Sequence, residues 1–191
     1  MLPEYCKGLI ESNPGTVTTL EIDEDRKFCH IFLCFGASAD GFMHCRPILG
    51  LDGTHLKQKY QGILLTATAV DAQGSLFPLA FAVVDAENDE NWFWFMLQIR
   101  NVLEARGYQP LVDKSLVFLS DRQKGLLEGV DRLFPGCPHG YCLRHLAENL
   151  HKKFKNLELD KLLSNAAATL TQEKFDEAID NMKAIHASAV D

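Results

Sequence analysis

In the first part of the chain, up to residue 85, the apolar positions are spaced as in β-strands. TVTTLEI and KFCHIFLCF are rich in β-branched and aromatic residues and flank an acidic turn, DEDR, so residues 16–35 are predicted to form a hairpin. Three further strands are predicted at RPILGLD (46–52), GILLTATAVD (62–71) and SLFPLAFAVVD (75–85). The turn-forming AQG between the last two indicates that they are close neighbours.

Helical spacing begins near residue 88. Asn88 and Asp89 can cap a helix that Gly107 would end. The side chains expected on its buried face are Trp92, Phe95, Met96, Ile99 and Leu103. A short strand, KSLVFLSD (114–121), and an amphipathic helix, RQKGLLEGVDRLF (122–134), follow. Beyond CPHGYC the pattern is that of helices alone.

The order of these elements predicts the fold class. Three consecutive strands indicate an antiparallel meander, and the strand–helix alternation after them indicates parallel additions to the same sheet. This is the order of an α/β, ribonuclease-H-like mixed sheet with flanking helices.

Composition narrows the classes of protein further. The chain of 191 residues is 47% hydrophobic and 24% charged, without low-complexity tracts. Its longest apolar run, LFPLAFAVV (76–84), is too short to span a bilayer, and no signal peptide is seen, so we expect a soluble protein that binds no membrane. The six cysteines are then expected to be reduced thiols. The net charge of −7 has the wrong sign for holding DNA by bulk electrostatics.

Asp52 and Asp121 are the sharpest candidates for chemistry, because each follows an apolar strand and precedes small or polar residues. Two neighbouring carboxylates repel each other unless a cation lies between them. Such hard oxygen ligands suit Mg²⁺ or Mn²⁺. Taken singly, either aspartate fits the cap of the next turn or helix at least as well.

Several motifs, in order along the chain, resemble the transposase domain of Mutator-like elements (MULE), which also underlies the plant far-red response regulators. They are DGTHLKQKYQG, Glu87-Asn88 with Trp92 and Trp94, SDRQKGL and CLRHLAENL. The resemblance extends from about residue 17 to 155. It implies three parts: an N-terminal hairpin extension (1–45), an incomplete ribonuclease-H-like catalytic core (46–142) and the start of a helical insertion (143–191).

The resemblance also implies the site and its chemistry. The Asp of DGTH and the Asp of SDR are the first two members of the family's Asp-Asp-Glu (DDE) metal-binding triad, so Asp52 and Asp121 become catalytic residues and ligands of Mg²⁺ or Mn²⁺. The family's third acid follows the helical insertion in a segment that this chain lacks. The late glutamates, Glu148, Glu173 and Glu177, fit solvent-facing helix positions instead. We therefore expect these 191 residues to be inactive alone.

Cys137, His139, Cys142 and His145 form a C-x-H-x2-C-x2-H cluster, whose last two residues match a Cys-x-x-His motif of the family. Four such ligands could bind Zn²⁺. The short spacings would strain a four-ligand site, so we favour structural packing over zinc.

Five other residues remain open. Trp94, opposite the buried face of its helix, is expected to be covered by the helical tail. Glu87 is interpreted as a turn or capping residue, as are Asp71 and Asp85, and His55 could orient a phosphate.

The leading hypothesis is a transposase catalytic core that cleaves and transfers DNA strands. Its partners would be transposon ends and target DNA, with most affinity supplied by a domain outside this chain. The resemblance implies a nuclear protein and allows for homo-oligomers. The alternative is a domesticated, non-catalytic, DNA-associated transcriptional regulator of the same fold. A ribonuclease-H-like nuclease outside transposition fits the two acids but not the DGTH and CLRH motifs.

Overall fold

The computed structural model describes residues 1–57, 61–108 and 116–190. The strands are β1 (Val17–Ile22), β2 (Phe28–Cys34), β3 (Arg46–Leu56), β4 (Gly62–Val70), β5 (Leu76–Val84), β6 (Val117–Ser120) and β7 (His139–Tyr141). The helices are α1 (Leu2–Ser12), α2 (Gly36–Phe42), α3 (Asp89–Ala105), α4 (Lys124–Leu133), α5 (Leu143–Phe154), α6 (Leu157–Ala168) and α7 (Gln172–Ile185), followed by a 3-10 turn at Ala187–Ala189.

The described strands form one mixed sheet in the order β1-β2-β5-β4-β3-β6-β7. Strands β3, β4 and β5 make the antiparallel meander, and the hairpin β1–β2 joins it through β5. After the α3 crossover, β6 adds to β3 in parallel. The predicted ribonuclease-H-like mixed sheet with flanking helices is therefore confirmed, including the switch from antiparallel to parallel pairing.

The core lies between this sheet and helix α3. Along β4 the alternate residues Ile63, Leu65, Ala67 and Ala69 are buried, as one face of a strand should be. All five side chains of the predicted α3 face are at most 1% exposed. Burial of large apolar side chains on this scale is the main force that holds a sheet and a helix together.

Both predicted ends of α3 are confirmed. The side chain of Asn88 accepts a hydrogen bond from the main-chain N of Asn91 at 2.8 Å, which satisfies one free N–H of the first turn. After the last turn, Gly107 has a φ of +79°, a conformation that glycine adopts without strain. The chain can therefore reverse within two residues of the helix end.

Helices α3 and α4 approach too closely for larger side chains at two glycines. A Cβ at Gly125 would lie 2.5 Å from the Cα of Asp89, and one at Gly129 would lie 2.6 Å from Sδ of Met96. The SDRQKGL motif thus includes a residue, Gly125, that lets α4 pack beside the start of α3.

Two features were not predicted from the sequence. Residues Leu2–Ser12 form helix α1, which the strand-oriented reading of the N-terminal region did not predict. Trp94 contacts the hairpin β1–β2: its indole packs edge-on against Phe32, and its Nε1 donates to Oε1 of Glu21 at 2.6 Å. The sequence did not predict this contact, and the cover of Trp94 by the helical tail stays a prediction.

The chain divides into two compact units, residues 1–140 and 141–191. The second unit is helical, as predicted, and has its own small core, with Leu150, Leu159 and Met182 buried at its centre. No helix in the described ranges is both long and apolar enough to cross a membrane. All six cysteines are free.

Two predicted segments lie partly outside the described residues. They are DGTHLKQKYQG, of which residues 58–60 are not described, and KSLVFLSD, of which residues 114–115 are not described.

Candidate active site

Pairing between β3 and β6 brings the two candidate aspartates to neighbouring strands. The parallel register runs from Ile48 opposite Val117 to Gly50 opposite Leu119. Two positions beyond this last pair are Asp52, still in β3, and Asp121, the first residue after β6. Residues paired in a parallel ladder share one level and one face of the sheet, so a continuation of this register would place the two aspartates beside each other.

The main chain of Asp52 is fixed by β4 on its other side. Asp52 is paired with Thr66, and Oγ1 of Thr66 donates to the main-chain O of Asp52 at 3.2 Å. The carboxylate is exposed, and its Oδ1 accepts a hydrogen bond from the N of Gly53 at 3.1 Å. The residue therefore combines a rigid backbone with a solvent-accessible carboxylate.

Asp121 follows β6 directly and begins the turn that leads into α4. Its Oδ1 accepts a hydrogen bond from the N of Gln123 at 2.9 Å, and Gln123 in turn caps α4 by accepting from the N of Leu126 at 3.0 Å. Among the described residues, Oδ2 of Asp121 accepts no hydrogen bond. One oxygen of this side chain therefore has a turn-capping role.

A cleft of about 650 Å³ lies at this end of the sheet. Its lining includes Asp121 and Gln123, together with four residues from neighbouring segments: His55, Gln61, Asp85 and Glu87. Asp52 is not among the residues that line the cleft. With three carboxylates and one imidazole, the lining is acidic and would repel a bare phosphate.

Glu87 belongs to this cleft, which its interpretation as a turn residue did not anticipate. Its Oε1 accepts a hydrogen bond from Nε1 of the buried Trp92 at 3.3 Å. A Cβ on Gly53 would lie 3.0 Å from the same Oε1 and 3.2 Å from Cζ2 of Trp92. The glycine after Asp52 therefore leaves room for the Glu87 carboxylate, and the proximity of Glu87 to Trp92 in the sequence was the available signal.

The other two acids have different surroundings. Asp71 makes a turn, with Oδ1 accepting from the N of Gln73 and of Ser75 at 2.9 and 2.8 Å, so its turn role is confirmed. Oδ1 of Asp85 accepts from Nδ2 of the buried Asn91 at 2.8 Å, which ties the end of β5 to α3. These bonds are structural, although Asp85 also borders the cleft.

The four Cys and His residues of the C-x-H-x2-C-x2-H cluster fall in both compact units. Cys137 and His139 belong to residues 1–140, whereas Cys142 and His145 belong to residues 141–191, where Cys142 is the N-cap of α5. Within the described part of the chain, no three His, Cys, Asp or Glu side chains are grouped so as to hold a metal ion. The imidazole of His139 is half-buried, and burial lowers its pKa below the ordinary value.

We expect protein purified without chelator to contain no stoichiometric zinc. Within its own unit His139 contacts Ser120, at 2.8 Å from Nε2 to Oγ, so one ring nitrogen already has a partner within the fold. Elemental analysis by mass spectrometry measures zinc per chain directly, with Cys142→Ser for comparison. One zinc per chain in the wild-type protein, lost in that variant, would make the cluster a metal site.

Comparison with known proteins identifies the family. Residues 48–149, more than half of the chain, match the MULE transposase domain, and the chain belongs to that family. It is 25% identical over 157 residues to Protein FAR-RED IMPAIRED RESPONSE 1 of Arabidopsis thaliana, covering 82% of this chain and 18% of that protein. It is 23% identical over 153 residues to Putative protein FAR1-RELATED SEQUENCE 10 of the same plant, covering 80% and 21%.

The chain thus spans about a fifth of the length of these curated relatives. Among solved structures, the catalytic domain of Mos1 mariner transposase overlaps 81% of this chain and 84% of its own, at 13% identity and a TM-score of 0.33. An overlap this loose relates no individual residues.

Proposed function

We propose that this chain is part of the catalytic core of a metal-dependent DNA transposase, in which Asp52 and Asp121 are the first two metal-binding carboxylates. The observation that carries the proposal is the parallel register of β3 and β6, whose last pair, Gly50 and Leu119, lies two positions before Asp52 and Asp121. Membership of the MULE transposase domain family supports the same pair, because the matched range 48–149 includes both.

The residues present fit a hard divalent cation. The donors are carboxylate oxygens, the ligand type that Mg²⁺ and Mn²⁺ prefer. Oδ2 of Asp121 makes no hydrogen bond among the described residues, and the Asp52 carboxylate is exposed. When bound at such a site, divalent ions stabilise charge on the phosphoryl oxygens and on the attacking and leaving oxygens.

The chain itself would orient the two aspartates, Asp52 and Asp121. The N–H of Gln123 holds one oxygen of Asp121. Thr66 and the β4 ladder hold the backbone of Asp52. Such fixed first ligands lower the reorganisation needed when the site assembles around its substrate.

A complete site needs a third acid, which we place in another segment of the whole protein. Glu148, Glu173 and Glu177 are exposed and belong to the helical unit of residues 141–191. We further propose that whole-protein binding of transposon ends and target DNA depends on additional sequence, because a chain of net charge −7 repels the phosphate backbone. A nuclear location follows from the same proposal.

A non-catalytic regulator of the same fold is the second candidate. The charge of −7 and the similarity to a relative named for an impaired far-red response favour it. Both candidates share the fold, and they differ in whether Asp52 and Asp121 hold a cation.

Calorimetric titration of the 191-residue protein with Mn²⁺ distinguishes the two. We expect weak binding by the wild-type protein and at least about a tenfold loss of affinity in Asp52→Asn and in Asp121→Asn, because each substitution removes a charged ligand. Asp25→Asn is the matched control, since Asp25 is exposed in the β1–β2 turn and pairs with Lys27 at 3.0 Å.

Loss in all three variants alike would indicate nonspecific binding to an acidic surface and would contradict the assignment of the pair. Failure of the wild-type protein to bind Mn²⁺ would favour the regulator.

A further inference from the structure

Ser120, the last residue of β6, connects Asp121 to a histidine on the neighbouring strand. The Ser120 side chain is buried, with 1% of the residue exposed. Its Oγ donates a hydrogen bond to the main-chain O of Asp121 at 2.7 Å. The same Oγ lies 2.8 Å from Nε2 of His139, in β7. A buried hydroxyl thus bridges the candidate metal ligand and a half-buried imidazole.

Counting protons assigns the direction of both bonds. A serine hydroxyl has one proton and two lone pairs. Since that proton is donated to the carbonyl of Asp121, the second contact requires Oγ to accept. Nε2 of His139 must then be the donor, which selects the neutral tautomer with its proton on Nε2.

The neighbouring strand holds His139 firmly in this position. The N of Phe118 donates to the main-chain O of Pro138 at 2.9 Å, which fixes β7 beside β6. The His139 ring packs edge-on against Phe118, with 6.4 Å between ring centroids. A Cβ on Gly140 would lie 2.9 Å from Cδ2 of Leu119, so β7 runs close to the side chains of β6.

We propose that His139, acting through Ser120, is a positioning residue for Asp121. The Nε2–H···Oγ–H···O=C chain fixes the peptide group that follows Asp121, while the N–H of Gln123 fixes one carboxylate oxygen. Together the two contacts set the direction of the remaining oxygen. The positioning role rests on the proposed function, in which Asp121 is a metal ligand. The hydrogen-bond chain itself rests on geometry alone.

This role explains why the C-x-H-x2-C-x2-H segment accompanies the SDR motif. The histidine of the segment acts on Asp121, the residue after β6, through hydrogen bonds and not as a zinc ligand. Hydrogen bonds of this kind, one step removed from a metal ligand, typically change metal affinity by about 10–100-fold when they are lost.

The test uses the 191-residue protein and has two readouts. Long-range ¹H–¹⁵N NMR of histidine-labelled protein reports the tautomer of His139; we expect a protonated Nε2, with an altered signal in Ser120→Ala. Mn²⁺ titration reports the effect on the ligand. We expect about a 10–100-fold loss of affinity in Ser120→Ala and in His139→Phe, and recovery to within about threefold of wild type in His139→Gln, whose amide can donate in place of Nε2.

The matched control is Ser164→Ala, because Oγ of Ser164 also donates to a main-chain O, that of Asp160 at 3.0 Å. Unlike Ser120, Ser164 is exposed, and it lies in helix α6. This control should leave Mn²⁺ affinity unchanged. Circular dichroism at the titration temperature checks that every compared variant is folded. If a histidine variant is unfolded, the smaller substitution, Ser120→Ala, decides the test.

The outcomes separate the two proposals. If Asp121→Asn lowers Mn²⁺ affinity and Ser120→Ala does not, the positioning role is overturned and the metal site stands. If Asp121→Asn also leaves Mn²⁺ affinity unchanged, the metal site fails and the positioning role fails with it. A proton on Nδ1 of His139, with none on Nε2, would overturn the hydrogen-bond chain itself.

Discussion

Asp121→Asn in the whole protein is expected to lower DNA strand cleavage by at least about a thousandfold with little effect on folding. Stabilisation of transition-state charge by correctly held divalent ions contributes several kcal/mol, and each 1.36 kcal/mol corresponds to a factor of ten in rate. The asparagine keeps one oxygen for the N–H of Gln123, so the turn into α4 should persist. The measurement is a cleavage and strand-transfer assay on end-containing DNA with Mg²⁺ and with Mn²⁺.

The same assay includes the 191-residue protein and Asp25→Asn in the whole protein as controls. We expect the first to be inactive, because two aspartates leave a second ion short of ligands. We expect the second to be as active as wild type, because Asp25 is exposed in a turn. Robust cleavage by residues 1–191, abolished by Asp121→Asn, would mean that an acid within them completes the site. Glu87, which lines the same cleft as Asp121, would then be the first candidate.

The elements that sequence predicted well are those in which local pattern and tertiary environment agree. The alternation of β4 and the apolar face of α3 each place one set of side chains in the core, so periodicity alone defines them. Helix α1, LPEYCKGLIES, was not predicted from the sequence, and it buries only Cys6. The contact between Glu21 and Trp94 was not predicted because it depends on where the hairpin joins the sheet.

The candidate site shows the same division. Asp52 and Asp121 were predictable, since each ends an apolar strand within a recognisable motif. The participation of Glu87 in the cleft depends on the absence of a side chain at Gly53, 34 positions earlier in the chain, which periodicity does not reveal. The link from His139 to Asp121 likewise requires β7 to lie next to β6. Periodic sequence patterns do not predict contacts between segments that are distant in the chain.

Trp92→Ala is expected to lower the free energy of unfolding of residues 1–140 by about 3–5 kcal/mol, the usual cost of removing a large aromatic side chain from a packed core. Trp92 is 0% exposed, and its ring packs edge-on against Phe95. For a unit of this size the midpoint of thermal unfolding should fall by about 6–20 °C. The substitution also removes the N–H that donates to Glu87, so the acidic cleft should lose order together with the core.

Urea unfolding followed by tryptophan fluorescence reports the unfolding of residues 1–140, because the protein has only two tryptophans and both lie in α3. Trp94→Ala is the matched comparison: it removes the same ring from a half-buried position against the hairpin, and it should cost clearly less. The fluorescence of the remaining tryptophan reports unfolding in either variant. Equal losses in the two variants, or a loss below about 1 kcal/mol for Trp92→Ala, would place Trp92 outside the packed core. The account of Gly53 as the space left for Trp92 and Glu87 would then fail as well.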